Sequence, residues 1–197
     1  MDKNKLNDLN VDLEELCCFL IPLFYETDCK YSCTRNKLGK LLTILAFKYA
    51  MNGERLFNEK IYRNGNCGTI IEQIMDVFEK DEYVLPEYND DRKYIKEELE
   101  ASIKLPQRFQ IMPDLSFDVM NDMLDVFRNF GAYYPSDLSR VLNPIVDKVT
   151  KESHGEVELF KVPYVIDVVD SENDVVKYLK SRCIDNKNTK RKIKKYK

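Results

Sequence analysis

Glycine and proline are scarce in this chain, at 6 and 7 of 197 residues. Folds with many turns, such as β-sandwiches and barrels, need these residues, so their scarcity favours helices. The length suits one domain with a substantial core. Apolar residues make up 44% and charged residues 33%, a balance that is typical of folded, water-soluble proteins.

A long apolar run is also missing. The longest, Leu16 to Tyr25, is too short to cross a bilayer and contains Pro22. The amino-terminal stretch MDKNKLNDLNVDLEE is too acidic and polar for a secretory signal. We therefore expect a cytoplasmic protein that makes no membrane contact.

Histidine occurs once, as His154 in the polar segment KESHGE, so no Ser–His–Asp or Cys–His set is indicated. An exposed loop residue is the simpler interpretation of His154. The segment RNGNCG lacks the lysine and the spacing of a phosphate-binding loop. The many acidic residues of 79–100 lack the apolar surroundings that would raise a carboxyl pKa for acid–base catalysis. We expect no enzymatic activity, no cofactor and no metal.

Six cysteines are present, and in a cytosolic chain reduced thiols are expected. Cys29 and Cys33 lie four apart, downstream of the Cys17–Cys18 pair, which leaves a zinc site as an alternative. Structural zinc usually shows two tight pairs, and adjacent cysteines rarely chelate one ion together, so buried thiols are favoured. The other cysteines are Cys67 and Cys183.

Charge is distributed unevenly. From Lys180 to the end there are nine Lys or Arg against one Asp, a net of +8, so the remainder carries −11 within the total of −3. Such a basic tail can neutralise nucleic-acid phosphates. The candidate phosphate contacts are Lys190, Arg191, Lys192, Lys194 and Lys195.

The first half of the chain predicts two helices and a turn-rich connection. Asp12 caps the first helix, which Pro22 kinks or shortens, after a flexible amino terminus at 1–11. Thr34 or Ser32 caps the second, an apolar stripe from Leu38 to Tyr49 that ends at Gly53. Three lysines fall off that stripe and are expected to face water: Lys37, Lys40 and Lys48.

The connection is predicted as a strand from Leu56 to Tyr62 and a turn at 64–68, with a third helix that Thr69 caps and that runs to about Glu79. An acidic insertion follows at about 79–113, with a possible helix from Asp90 or Asp91.

The second half predicts a helix from Leu115 to Phe130, with Phe117 on its apolar face and Gly131 at its end. An aromatic turn at 133–135 precedes a helix that Ser136 caps and that stops near 143–144. VELFKVPYVIDVV is predicted as a strand, and Ser171 with Asp174 as a capping box. Together these patterns predict a mainly α fold with a short β-hairpin or small sheet, an α+β chain with one compact helical domain at 12–183 and a disordered tail at 184–197.

The path KLGKLLTILAFKYAMNGERLFNEKIYRNGNCGTIIEQI resembles the Panacea domain, also called the SocA-like antitoxin domain. Residues 37–42 match its Lys-Leu-Gln-Lys-Leu-Leu-type helix, residues 52–57 its turn and Leu-Phe pair, and residues 68–71 its Gly-Pro-Val-type turn. LDVFRNFGAYYPSDLSRVL is similar to its second conserved region, so the resemblance covers roughly 12–150.

The chain departs from the family pattern at three places. Gly39 stands where glutamine is usual, Thr69 where proline is usual, and Asn143-Pro144 where a Thr-His pair is common. The resemblance implies a protein-binding antitoxin without catalysis, which neutralises a cognate toxin and in one branch delivers it to a ClpXP-type protease. The alternative is a phage or mobile-element protein whose scaffold inhibits a host defence protein or binds nucleic acid through its tail.

An aromatic and polar patch beside the turn is the candidate partner-binding site, because Tyr and Arg are favoured at interface centres. The alternative is that its tyrosines only cover the core, with their hydroxyls in water. The candidate residues are Tyr62, Arg63, Asn66, Gly68, Thr69, Tyr133 and Tyr134.

Overall fold

A single helix, α2 (Arg35–Ala50), lies at the centre of the structure, and all its residues from Lys37 to Ala50 are buried. The computed structural model describes residues 6–27, 33–65, 68–74, 112–150 and 155–182. In chain order, its other helices and strands are β1 (Asn7–Asp8), α1 (Leu13–Glu26), β2 (Glu54–Arg55), β3 (Ile61–Arg63), β4 (Thr69–Ile71), α3 (Phe117–Phe130), α4 (Pro135–Val149), a 3₁₀ turn (Leu159–Lys161), α5 (Val162–Val165) and α6 (174–182).

The predicted fold class is confirmed: the chain is mostly helical and compact, and its described residues form two small two-stranded sheets. α2 contacts α3, α4, α5, β2, β4 and the 3₁₀ turn. The described residues contain no helix with the length and apolar character needed to cross a membrane.

The predicted start of α1 is confirmed, because the Asp12 carboxylate accepts from the Glu14 N–H at 2.7 Å. Pro22 lies inside α1 and does not end it. Buried residues on both sides of the proline, such as Ile21 and Phe24, keep this turn of the helix packed against the core.

The cap of α2 is Thr34, whose hydroxyl accepts from the Lys37 N–H at 3.2 Å. The prediction that three lysines of α2 face water is wrong. Lys37 is 0%, Lys40 2% and Lys48 7% exposed. Other elements surround α2 on every side, so a lysine off the apolar stripe still meets protein. The Lys37 ammonium, for example, lies 5.2 Å from the ring centroid of Phe24.

Residues 6–11 are fixed against the domain, so the predicted flexibility of 1–11 is wrong for this part. β1 pairs in parallel with β2, and the Val11 N–H donates to Leu56 O at 2.9 Å. Of the predicted strand Leu56 to Tyr62, only Ile61 and Tyr62 are in a strand, β3; β2 ends before it, and Leu56 and Phe57 are buried in the core between the two strands. Gly53 has the predicted positive φ, +80°.

β3 and β4 form an antiparallel hairpin with Tyr62 opposite Ile70. The prediction that Thr69 caps a helix is wrong, because its β-branched neighbours pair with β3 and helical conformation begins only at 73. The rest of that predicted helix, the helix from 90 or 91 and nearly all of the acidic insertion lie outside the described residues.

α3 begins after Ser116 and ends at Gly131, close to the predicted bounds. Phe117 does not face the core, since it is 74% exposed at the first position of the helix. α4 begins at Pro135 rather than after Ser136, and it continues through Pro144 to Val149. Burial of Val146 and Val149 holds this last part of α4 in place.

The predicted strand in VELFKVPYVIDVV is wrong, and the β-bridge between Glu156 and Tyr62 lies just before the segment. The segment forms the 3₁₀ turn and α5, because Val162 and Ile166 are buried at helical spacing. α6 is capped by Asn173 rather than Ser171: the Asn173 side-chain oxygen accepts from the N–H of Val175 at 3.0 Å.

Candidate interaction surface

Two buried hydroxyl groups hold the β3–β4 hairpin on α2. The Oγ1 atoms of Thr43 and Thr69 lie 2.8 Å apart, and the Thr43 hydroxyl donates to the Gly39 carbonyl at 2.8 Å. Because a hydroxyl has one proton, the Thr69 hydroxyl donates to Thr43. Thr43 is 0% and Thr69 1% exposed, so an uncharged pair fixes β4 on the central helix.

Gly68 closes the hairpin and packs tightly against both α2 and α4. Its φ of +94° is rarely adopted by residues with a side chain. A Cβ at this position would lie 2.8 Å from Lys40 Cε and 3.2 Å from Ser139 Oγ. The positive φ therefore favours glycine here, and a Cβ would in addition force the buried Lys40 and Ser139 side chains to shift.

Arg63 ties the hairpin to the last turn of α4. Its Nε–H donates to the Asp147 carboxylate at 2.6 Å, and its guanidinium also donates to the Gly65 carbonyl. Its side chain is only 14% exposed. The described contacts of Arg63 are thus internal, and they make the hairpin rigid.

The neighbouring tyrosines Tyr133 and Tyr134 have different environments. The Tyr133 hydroxyl donates to Asp174 at 2.9 Å, and its ring meets the edge of Phe130 at 5.6 Å. That hydrogen bond, with burial, raises the pKa of Tyr133. Tyr134 is the N-cap residue of α4 and is 64% exposed. Tyr133 covers the core, and Tyr134 is open to a partner.

Two residues of the predicted patch, Arg63 and Tyr134, lie toward opposite ends of α4, because Arg63 pairs with Asp147 in its last turn and Tyr134 is its N-cap residue. Gly68 contacts Ser139, whose hydroxyl donates to Pro135 O one turn back, next to Tyr134. Gly68 and Thr69 are buried, so we define the hairpin–α4 surface by the three patch residues that are partly or fully exposed, Tyr62, Arg63 and Tyr134. Tyr62 is half-buried. The predicted residues outside the described part of the chain are Asn66, His154, Lys190, Arg191, Lys192, Lys194 and Lys195.

Sequence reasoning missed a charged cluster where α2, α3 and α6 meet. The Lys48 ammonium lies 2.7 Å from Asp122 and 3.5 Å from Asp125. Asp125 also accepts from the Tyr178 hydroxyl at 2.9 Å and from the Arg182 guanidinium. These five residues are the charged cluster. The spacing of Asp118, Asp122 and Asp125 along one helix face was its only sequence signal.

The pKa shifts in the charged cluster indicate that its charges stabilise the fold. Burial raises the pKa of Asp125, but hydrogen bonds from Arg182 and Tyr178 and the nearby Lys48 charge outweigh it, so the pKa lies below its usual value. Burial and the Asp125 charge raise the pKa of Tyr178. The cluster borders an open cleft of about 560 Å³. Its charges are paired with one another, and they hold α6 on α3.

Three of the cysteines are buried as predicted: Cys17, Cys18 and Cys33. Burial raises the pKa of Cys33 to about 12, although the Lys37 charge opposes it. Among the residues that the structure describes, no three His, Cys, Asp or Glu side chains are grouped to hold a metal ion.

Comparison of this chain with family models, with curated proteins and with solved structures finds no match.

Proposed function

We propose that this chain is a non-catalytic protein-interaction module, similar to SocA-like antitoxins, that neutralises a protein partner by direct contact at the hairpin–α4 surface. The observation that carries the proposal is the 64% exposure of Tyr134 beside a hairpin fixed by internal contacts. A rigid surface loses little conformational entropy on binding, and tyrosine contributes strongly at interface centres.

The resemblance to the Panacea domain supports the same proposal. Thr69, which departs from the family's usual proline, has a local physical role because its hydroxyl pairs with Thr43. We propose a cytoplasmic cognate toxin, or a host protein, as the partner, and a ClpXP-type protease as the acceptor of the complex.

Co-expression with the product of the adjacent gene tests this proposal. We expect that product alone to slow growth, and we expect this chain to restore growth and to copurify with it as a stable complex. If the neighbour is harmless and no complex forms, the antitoxin proposal is wrong.

The second candidate function is nucleic-acid binding by the tail, and the observation that favours it is the +8 charge from residue 180 onward. It predicts a mobility shift with DNA or RNA that weakens steeply with salt, because bound phosphates release counterions. Deletion of 184–197 should abolish the shift, whereas a shift that survives the deletion would contradict this role for the tail.

A further inference from the structure

A second cleft, of about 520 Å³, lies between the connection of β2 to β3 and the segment at 155–160. Its lining includes the apolar side chains of Ile61, Val157 and Leu159, all of them largely buried. Glu59 and Lys60 also line it. The cleft thus combines apolar surface with charged groups, as sites for amphipathic ligands do.

Most charges that line this cleft already have a counter-ion. Glu156 lies 2.8 Å from the Lys60 ammonium, and Glu158 forms an ion pair with Lys161. Arg55 lies 3.6 Å from Asp8. The acidic residues 156 and 158 are therefore neutralised within the protein and do not define the ligand.

Glu59 differs from the other charged residues of the cleft. Its Oε2 atom is buried and has no hydrogen-bond partner, and within the described part of the chain its carboxylate forms no ion pair. A buried carboxylate oxygen without a donor is costly, and native structures usually satisfy such atoms. The missing partner is a hydrogen-bond donor, and a cation is the strongest one.

We infer that this cleft binds a guanidinium or ammonium group carried on an aliphatic stem, with Glu59 as its counter-ion. The stem packs on Ile61, Val157 and Leu159, as the methylenes of arginine and lysine pack on apolar surface. Because Oε2 is buried as the side chain stands, binding requires a rotation about the terminal torsion of Glu59, and this torsion is soft in glutamate. This site is independent of the proposed function at the hairpin–α4 surface.

Titration of the full chain, followed by NMR at physiological salt, tests the inference with two probes. N-acetyl-arginine amide represents a side chain of a protein partner, and cadaverine represents a free diamine. We expect saturable shifts at 155–159 with at least one probe. Glu59→Gln should weaken that binding by about tenfold or more, because it removes the charge but keeps the shape.

Glu172→Gln is the matched control, because it removes an acidic charge that pairs with Lys177 and lies outside the cleft. It should change the affinity by less than about twofold, since exposed pairs contribute little. Binding of the first probe alone indicates a protein ligand, and binding of the second alone a free amine. Absence of saturable binding, or equal weakening by both substitutions, overturns the inference. Circular dichroism verifies that each variant is folded.

Discussion

The two sides of α2 are held by different physical means. On the hairpin side, the Thr43–Thr69 hydroxyl pair and the close packing of Gly68 hold β4 on α2, and an ion pair between Arg63 and Asp147 ties the hairpin to α4. On the α3 side, Lys48 meets two carboxylates, and Asp125 in turn binds α6. The contact of β4 with α2 thus depends on shape and a neutral hydrogen bond, and the contact of α3 with α2 depends on charge.

This difference predicts which changes in solution conditions or sequence should destabilise each region. A change of pH alters the charge of a carboxylate but not of a threonine hydroxyl, so the α3 side should respond to acid and the Thr43–Thr69 contact should not. Substitutions that add volume should instead destabilise the hairpin side more, because a Cβ at Gly68 would press on Lys40 and Ser139.

The largest effect is expected for Gly68→Ala. The positive φ and the 2.8 Å approach to Lys40 Cε should together destabilise the chain by about 2–4 kcal/mol. Gly53→Ala is the matched control: its φ is +80° but nothing lies within 4 Å of a Cβ there, so about 1 kcal/mol is expected. Urea unfolding measures both, and equal losses would show that close packing at Gly68 is unimportant.

Asp125→Asn should destabilise the chain by about 1–2 kcal/mol at neutral pH, because charge-assisted hydrogen bonds are lost. The pKa of Asp125 is lower in the folded chain than its usual value, so its stabilisation is present above about pH 4 and disappears as pH falls through the folded pKa. The difference from wild type should therefore shrink at about pH 3.

Asp137→Asn is the control for Asp125→Asn, because it removes an aspartate charge from an exposed ion pair. Its partner Arg140 is 77% exposed, so the pair should contribute less than about 0.5 kcal/mol to stability. Chemical unfolding at several pH values follows both variants. A loss for Asp125→Asn that is the same at both ends of the pH range would show that charge is not what stabilises this side.

A smaller effect is expected on the hairpin side for Thr69→Val. It removes one neutral hydrogen bond and should cost about 1 kcal/mol, with the same value at acid and neutral pH. Thermal unfolding of this variant, of Thr43→Val and of the double variant gives the coupling energy of the pair. A coupling energy near zero would show that the hydrogen bond between the two hydroxyls does not stabilise the fold.

The helices were predictable because their caps and periodicities are local. Asp12, Thr34 and Gly131 lie where the sequence predicts helix ends. The environment of Lys48 was not predictable, since periodicity describes one helix and its ammonium meets carboxylates 74 and 77 residues away in sequence. The prediction that α4 stops near Pro144 is also wrong, because tertiary packing of the following turn keeps the helix intact.

The candidate site was predictable only in part. The sequence predicts the glycine turn and two neighbouring tyrosines as candidates, but it does not distinguish Tyr133 from Tyr134. That distinction depends on Asp174, a hydrogen-bond partner 41 residues along the chain. The sequence likewise does not single out Glu59, because the lack of a hydrogen-bond donor at its Oε2 atom is seen only in the folded structure.

The central claim is that Tyr134 belongs to a partner-binding surface, and affinity for the copurified partner tests it most directly. Tyr134→Ala and Tyr164→Ala remove tyrosines of nearly equal exposure, 64% and 62%. Calorimetric titration should show that Tyr134→Ala weakens binding by about tenfold or more while Tyr164→Ala changes it little, with both variants melting as wild type does. Unchanged affinity for Tyr134→Ala would contradict the claim.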